Sequence, residues 1–264
     1  MSNKTASVTT STRKFTEGPQ SSALACRCNK AAASLPDQHP TSYEFSAFLP
    51  NLLDTKETLE EIAYALDTLK ADNIILFARY GDDNHYLTHE YFRPIWQEPN
   101  RHKAVVFIHP TNPPRRHPPH NWPQCCPHET GRTAIDMLLS DILSLAQDCE
   151  IILSHAGGTL PYLNDRVAGM LPHTPFVVNK ITSEIIELAK LFYFDTVLSS
   201  NSGVLDLLLK FAKKGHVLFG SDFPNSPNEA IKYYTEQLEG HSSEQVGKKI
   251  TYENAFALFP RLRK

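Results

Sequence analysis

The stretch EIILSHAGG, Glu150 to Gly158, decides how the rest of the chain is read. Ile151, Ile152 and Leu153 form an unbroken apolar run, without the polar alternation of a strand that faces water on one side. Such runs belong to strands buried on both faces, as in parallel sheets covered by helices. The run stops at Ser154 and His155, and the two glycines behind them let another backbone approach closely. A polar residue at the C-terminal end of a buried parallel strand is a candidate for chemistry, because loops there share one mouth.

Working outward, YEFSAFLP (Tyr43 to Pro50), NIILFARY (Asn73 to Tyr80), AVVFIHP (Ala104 to Pro110), FYFDTVLSS (Phe192 to Ser200) and HVLFGSDFP (His216 to Pro224) read as further strands. Between them lie runs with helical spacing. Leu59, Ile62, Ala63, Leu66 and Leu69 follow an Asp54/Glu57 capping-box pattern. A second apolar stripe opens at Thr130, with Ala134, Ile135, Leu138, Ile142, Leu145 and Ala146. Ser202 to Lys214 is predicted to be a helix stopped by Gly215, and TYENAFALFPRL a closing helix. Strand, loop and helix recur, so the fold class is α/β with a parallel sheet. Six strand candidates fall two short of a closed (β/α)8 barrel, and the shortfall lies at the N-terminus.

The whole-chain numbers narrow the setting. With 264 residues and 41% hydrophobic content the chain forms one large domain, assigned here to residues 25–264 behind a polar, disordered tail at 1–24. A net charge of -3 leaves no basic face for nucleic acid. No apolar run is long enough to span a membrane. Five cysteines without a CxxC pair favour a reducing, cytoplasmic location. Patterns for dinucleotide or P-loop binding are absent, so chemistry rests on side chains and, where ligands converge, on a metal.

Three strand ends carry the candidate site: His109 after AVVFI, His155 after EIILS and Asp222 after HVLFGS. Two imidazoles and a carboxylate suit a first-row divalent ion. Taken singly, His109 could mark only a strand terminus and Asp222 only a turn; their common position is what points to a site. Arg166, eleven residues beyond His155, is a candidate for holding a substrate carboxylate as a bidentate fork, whereas Arg132 reads as a surface charge. Tyr80, Trp122 and Phe223 are candidates for an aromatic wall. The pairs His85/His89 and His117/His120 read as loop histidines.

Taken in order, FIHP, ETGRTAIDMLLS, ILSHAGGTLPYLNDR, YFDT and LFGSDFP resemble the amidohydrolase-related decarboxylases, in loop style the fungal 6-methylsalicylate decarboxylases, over roughly nine-tenths of the chain. The resemblance implies a TIM-type barrel and a divalent metal, zinc first and manganese second. It implies His109 and Asp222 as metal ligands, His155 and Asp222 as the catalytic pair, and Arg166 as a substrate-binding residue that reaches a neighbouring subunit in a homodimer. The implied reaction is non-oxidative decarboxylation of a hydroxylated aromatic, polyketide-derived carboxylic acid in secondary metabolism. Family members open with a barrel strand that supplies two metal ligands, commonly as HxH; this chain contains no HxH triplet, which implies a barrel lacking its first two strands. The alternatives are a catalytically impaired member that serves as a binding or dimerisation partner, and a metal-dependent hydrolase, since the same metal geometry activates water.

Overall fold

The computed structural model describes residues 19–39, 42–81, 83, 85–111, 126–174, 179–241 and 243–263. All six predicted strands are present in one sheet: β1 (Ser46–Ala47), β2 (Asn73–Phe77), β5 (Val105–His109), β6 (Glu150–Leu153), β7 (Tyr193–Asp195) and β8 (Val217–Leu218). They lie in the order β1-β2-β5-β6-β7-β8, every pairing parallel. A small antiparallel hairpin, β3 (Arg79–Tyr80) with β4 (His85–Tyr86), stands on the C-terminal end of β2.

Alternation along the strands sorts their side chains between two cores. Val106, Ile108, Ile151, Leu153, Phe194 and Val217 face outward and join the main core beneath the helices. Val105, Ile152, Tyr193 and Leu218 face the other way, with Phe107 packed against them. Phe259 and Leu262 close this inner cluster at the N-terminal ends of the strands. By the same period of two, His109 and Asp195 belong to the inner face, at the opposite end.

The helical layer departs from the sequence pattern in instructive places. Helix α1 (Pro19–Gln38) starts ahead of the boundary set at Ala25, and residues 1–18 lie outside the described residues. Its inward face runs through Ser21, Ala25 and Asn29, all buried, and such small or polar residues leave no hydropathy signal. Helix α2 (Thr55–Ala63) forms as expected, but the Asp54 side chain makes no cap bond. Helix α3 (Arg93–Arg101) follows the hairpin. Helix α4 (Cys126–Leu139) begins a turn earlier than Thr130, which Pro127 tolerates because no N–H is needed in a first turn. Beyond it lie α5 (Ile142–Leu145), α6 (Leu160–Met170) and α7 (Thr182–Ala189). Helix α8 (Ser202–Phe211) is capped by the Asn201 side chain, which accepts from the Val204 N–H at 3.1 Å. Helices α9 (Asn228–His241) and α10 (Glu244–Lys248) lead to the chain end. The expected closing helix is broken into a π-turn at Lys249–Glu253, the short α11 (Ala255–Leu258) and a 3-10 turn at Pro260–Arg263.

Those irregular turns and α1 deal with the two outer strands. Backbone groups at a sheet edge need partners. Beside β1, the Asn29 side chain donates to the Phe48 carbonyl and accepts the Phe48 N–H, both at 2.8 Å, and also donates to Glu61 Oε1 at 2.6 Å. Beside β8, the Asn254 side chain donates to the Val217 carbonyl at 2.7 Å, and the Phe219 N–H donates to the Ile250 carbonyl at 2.9 Å. Helical segments thus take the places of neighbouring strands on both sides. At the N-terminal end of the sheet, Arg261 holds Asp72 through two nitrogens at 2.5 and 3.2 Å, and Asp72 also accepts the Phe45 N–H at 2.8 Å. Glu44 lies buried next to them; burial, then the Asp72 charge, pushes its carboxyl up to about 8.

Two outcomes follow for stability. Asn29→Ala leaves the Phe48 N–H and carbonyl buried without partners and should cost about 2 to 4 kcal/mol in urea denaturation. Because the folded Glu44 binds its proton more tightly than the unfolded chain does, the stability it contributes is complete below its ordinary value near 4.5 and is lost as pH rises through about 8. Glu44→Gln should therefore raise the melting temperature more at pH 8.5 than at pH 5; an equal shift at both would exclude this linkage.

Candidate active site

His109 ends β5, and β2 and β6 flank that strand, so the imidazole lies within the mouth of the sheet. Its Nδ1 is 2.9 Å from the Pro110 carbonyl oxygen. A carbonyl can only accept, so Nδ1 carries the proton and Nε2 is left with the lone pair. Phe77, its register partner on β2, and Phe107 approach the ring at centroid distances of 6.2 Å each. Burial holds the His109 imidazole below its ordinary titration range, against the opposing pull of the Pro110 bond and the Asp222 carboxylate.

His155 follows β6 on a turn whose backbone is left-handed at His155 (φ 57°) and Ala156 (φ 56°). Non-glycine residues adopt that conformation only when their surroundings impose it. The imposing contacts are present. The Asp195 carboxylate accepts the His155 N–H at 2.7 Å and the Val197 N–H at 3.0 Å through one oxygen. Gly158 lies so close to α4 that an added Cβ would stand 1.8 Å from the Pro127 carbonyl oxygen, and Gly158 is itself at φ 61°. The Thr130 hydroxyl, on that same helix, lies 3.3 Å from the Ser154 hydroxyl.

So held, the His155 ring stands 6.0 Å from the His109 ring, centroid to centroid, at an edge-to-face angle of 64°. Its Nδ1 is buried and, among the described residues, has no hydrogen-bond partner. Burial, then the neighbouring His109, pushes the His155 imidazole down to about 4, with the Asp222 carboxylate pulling the other way. Both imidazoles are therefore neutral at physiological pH, with lone pairs free for a proton or an ion. Asp222 sits at φ 60° beyond β8 and accepts from the Ser226 hydroxyl at 2.8 Å and from Asn225 Nδ2 at 3.3 Å. The Asp222 carboxylate pulls both imidazoles upward electrostatically.

The donor chemistry suits a divalent first-row ion: neutral imidazole nitrogen, one of them buried and unpartnered, beside carboxylate oxygen. Among the described residues no group of three or more His, Cys, Asp or Glu side chains is gathered to hold an ion by itself. The chain's one Glu-x-His triplet, Glu239 to His241, contributes nothing here: it ends α9, where His241 Nε2 lies 3.0 Å from Asp206 Oδ1 in the outer helical layer. His85 and His89 stack on each other at 3.9 Å over the hairpin, and His117, His120 and Trp122 lie outside the described residues.

Arg166 is exposed on α6 and lies outside this cluster within its own chain. Tyr80 is a core residue whose hydroxyl accepts the Phe77 N–H at 2.9 Å. Phe223 is 61% exposed beside Asp222, free to wall a ligand. Two features escaped the sequence reading. Asp195 is one, although it ends a strand as His109 does. The other is a buried ion pair, Arg79 Nε to Glu129 Oε2 at 3.7 Å, with the Tyr86 hydroxyl donating to the same oxygen at 2.8 Å. It joins the hairpin to the first turn of α4 across the rim above β5.

The family model described as amidohydrolase matches residues 25–261. The chain belongs to that family. It is 49% identical over 249 residues to a 6-methylsalicylic acid decarboxylase of Penicillium expansum, covering 92% of this chain and 77% of that protein. It is 49% identical over 253 residues to a 6-methylsalicylic acid decarboxylase of Aspergillus aculeatus, covering 91% and 76%. Among solved structures, the dihydroxybenzoic acid decarboxylase of a Polaromonas species, crystallised with manganese and 2-nitroresorcinol, superposes with a TM-score of 0.79 at 22% identity, covering 92% of this chain and 76% of that one. At that identity the likeness establishes the TIM-type fold. By kinship with its curated relatives the chain is a decarboxylase, a carboxy-lyase. Among the described residues no helix is long and apolar enough to cross a membrane.

The turn that carries His155 has a direct test. Gly158→Ala sets a methyl group against the Pro127 carbonyl and should destabilise the fold by about 2 kcal/mol or more. Urea unfolding with an unchanged midpoint would show that α4 can retreat from the turn.

Proposed function

We propose that this decarboxylase acts on a hydroxylated aromatic acid of the 6-methylsalicylate kind, with a hydroxyl ortho to the carboxylate, and uses a divalent metal, zinc or manganese. The observation that carries the proposal is the pairing of two neutral, half-buried imidazoles 6.0 Å apart at the ends of adjacent strands, both acted on by the Asp222 carboxylate. His109, through Nε2, and Asp222 are the residues that would hold the ion. An ion held there would supply Lewis-acid charge to an acidic, oxygen-bearing substrate.

The remaining chemistry belongs to side chains of this chain. Asp222, first protonated from solvent by way of His155, gives that proton to the ring carbon that bears the carboxylate, so one proton is taken up for each carbon dioxide released. Protonation interrupts aromaticity. The bond to the carboxylate then breaks, its electron pair returns to the ring, and carbon dioxide leaves. Phe223 and Phe77 supply apolar surface for the ring face, and the buried position of both imidazoles limits water in the site.

The exposed face of α6 supports the assignment of a homodimer. Tyr162, Arg166 and Met170 recur every four residues on it, with Tyr162 77% exposed. The exposure of Arg166 on that face leaves it available to a second copy, where its guanidinium would clamp a carboxylate.

The experiment is a paired one. Asp222→Asn should abolish carbon dioxide release from 6-methylsalicylate while circular dichroism is unchanged, and His109→Ala should lower the metal content measured by mass spectrometry. Full turnover in the first variant would remove Asp222 from the reaction; unchanged metal in the second would remove His109 from the ligand set.

A further inference from the structure

Asp195 is the feature of the mouth that the reaction above leaves unused. It ends β7 on the inner face, is buried, and is enclosed on three sides. The His155 N–H at 2.7 Å and the Val197 N–H at 3.0 Å both point at its Oδ1, and the Ala156 N–H also interacts with the carboxylate. On the remaining side lies a glycine two residues beyond β8: a Cβ at Gly220 would stand 3.2 Å from Asp195 Cβ, 3.4 Å from its Cγ and 2.4 Å from Val197 Cγ2. The space for the carboxyl group is thus made by the absence of a side chain on the segment that follows the neighbouring strand.

We infer that Asp195 is a positioning residue that sets the orientation of the His155 imidazole, acting as a buried acceptor that gathers the backbone N–H groups of the left-handed His155–Ala156 turn. The argument is geometric. Two consecutive non-glycine residues in the left-handed region are costly by themselves, on the order of 1 kcal/mol each or more. A side-chain acceptor on the adjacent strand offsets that cost only while its oxygen stays in place, and the Gly220 contact keeps it there. Turning the His155 backbone back to ordinary φ would swing the imidazole away from His109 and Asp222. Burial also drives the Asp195 carboxyl up to about 7, with the N–H groups opposing and the Asp222 charge adding to the rise, as befits an acceptor whose work does not need a full charge.

The inference rests on the decarboxylase reading for its kinetic consequence, so the test has an arm that does not use turnover. Asp195→Ala removes the acceptor, whereas Asp195→Asn keeps one carbonyl oxygen at the Oδ1 position. With 6-methylsalicylate as probe, Asp195→Ala should lose about 100-fold in kcat with KM changed less than about threefold, and Asp195→Asn should stay within about fivefold of the parent. Amide hydrogen exchange read by NMR should be about tenfold faster at His155 and Val197 in the alanine variant, near the parent rate in the asparagine variant, and unchanged in both at Phe194, whose N–H is bonded to the His216 carbonyl. An alanine variant with parental kcat and parental exchange would overturn the inference, as would an asparagine variant as slow as alanine with its His155 amide still protected. A parent protein that releases no carbon dioxide from the probe defeats the functional reading instead, and the exchange rates then decide the role of Asp195 by themselves.

Discussion

A single hydrogen bond, from the His155 N–H to the Asp195 carboxylate at 2.7 Å, ties the site to the sheet. It runs from the second residue after β6 to the last residue of β7, so it spans the two strands where their ladder ends. Everything chemical at the mouth is arranged relative to it. The turn it holds brings one imidazole against another, and the burial that results keeps both uncharged. An imidazole on an exposed loop would hold its proton more readily and lose its value as an acceptor at physiological pH.

The sheet was legible because burial on both faces leaves a plain mark. All six apolar runs became its strands, in the order of the sequence, and two of the polar residues that ended them, His109 and His155, stand with their rings 6.0 Å apart. The helices were less so. Helix α1 buries Ser21, Ala25 and Asn29, a face that carries its information in hydrogen bonding and small size, to which a hydropathy pattern is blind. The closing segment was read as one helix, yet the needs of β8 break it into three turns, since Val217 and Phe219 require partners that a regular helix would not present. Asp195 stood at a strand end like His109, but a carboxylate used to bind backbone leaves no spacing signature. Arg166 shows the converse limit: its residue type and distance from His155 were suggestive, and its face of α6 turns outward.

The electrostatics of the mouth differ from those of the opposite end. There, Arg261 neutralises Asp72 in a two-nitrogen ion pair and leaves Glu44 to keep its proton. At the mouth, the partners of Asp195 among the described residues are peptide N–H groups. One end uses side-chain charge to fasten the closing segment to the sheet; the other holds its carboxylate with backbone N–H groups.

The Asn29 amide has a further bearing on assembly. Because it occupies both hydrogen-bonding groups of Phe48, and residues 250 to 254 occupy those of Val217 and Phe219, neither outer strand offers a continuous ladder to a newcomer. A polypeptide laid alongside β1 meets an occupied peptide just past Ala47 and has to stop or bend away there. Among the described residues, two asparagines and a carbonyl thus guard the outer strands against fibrillar stacking.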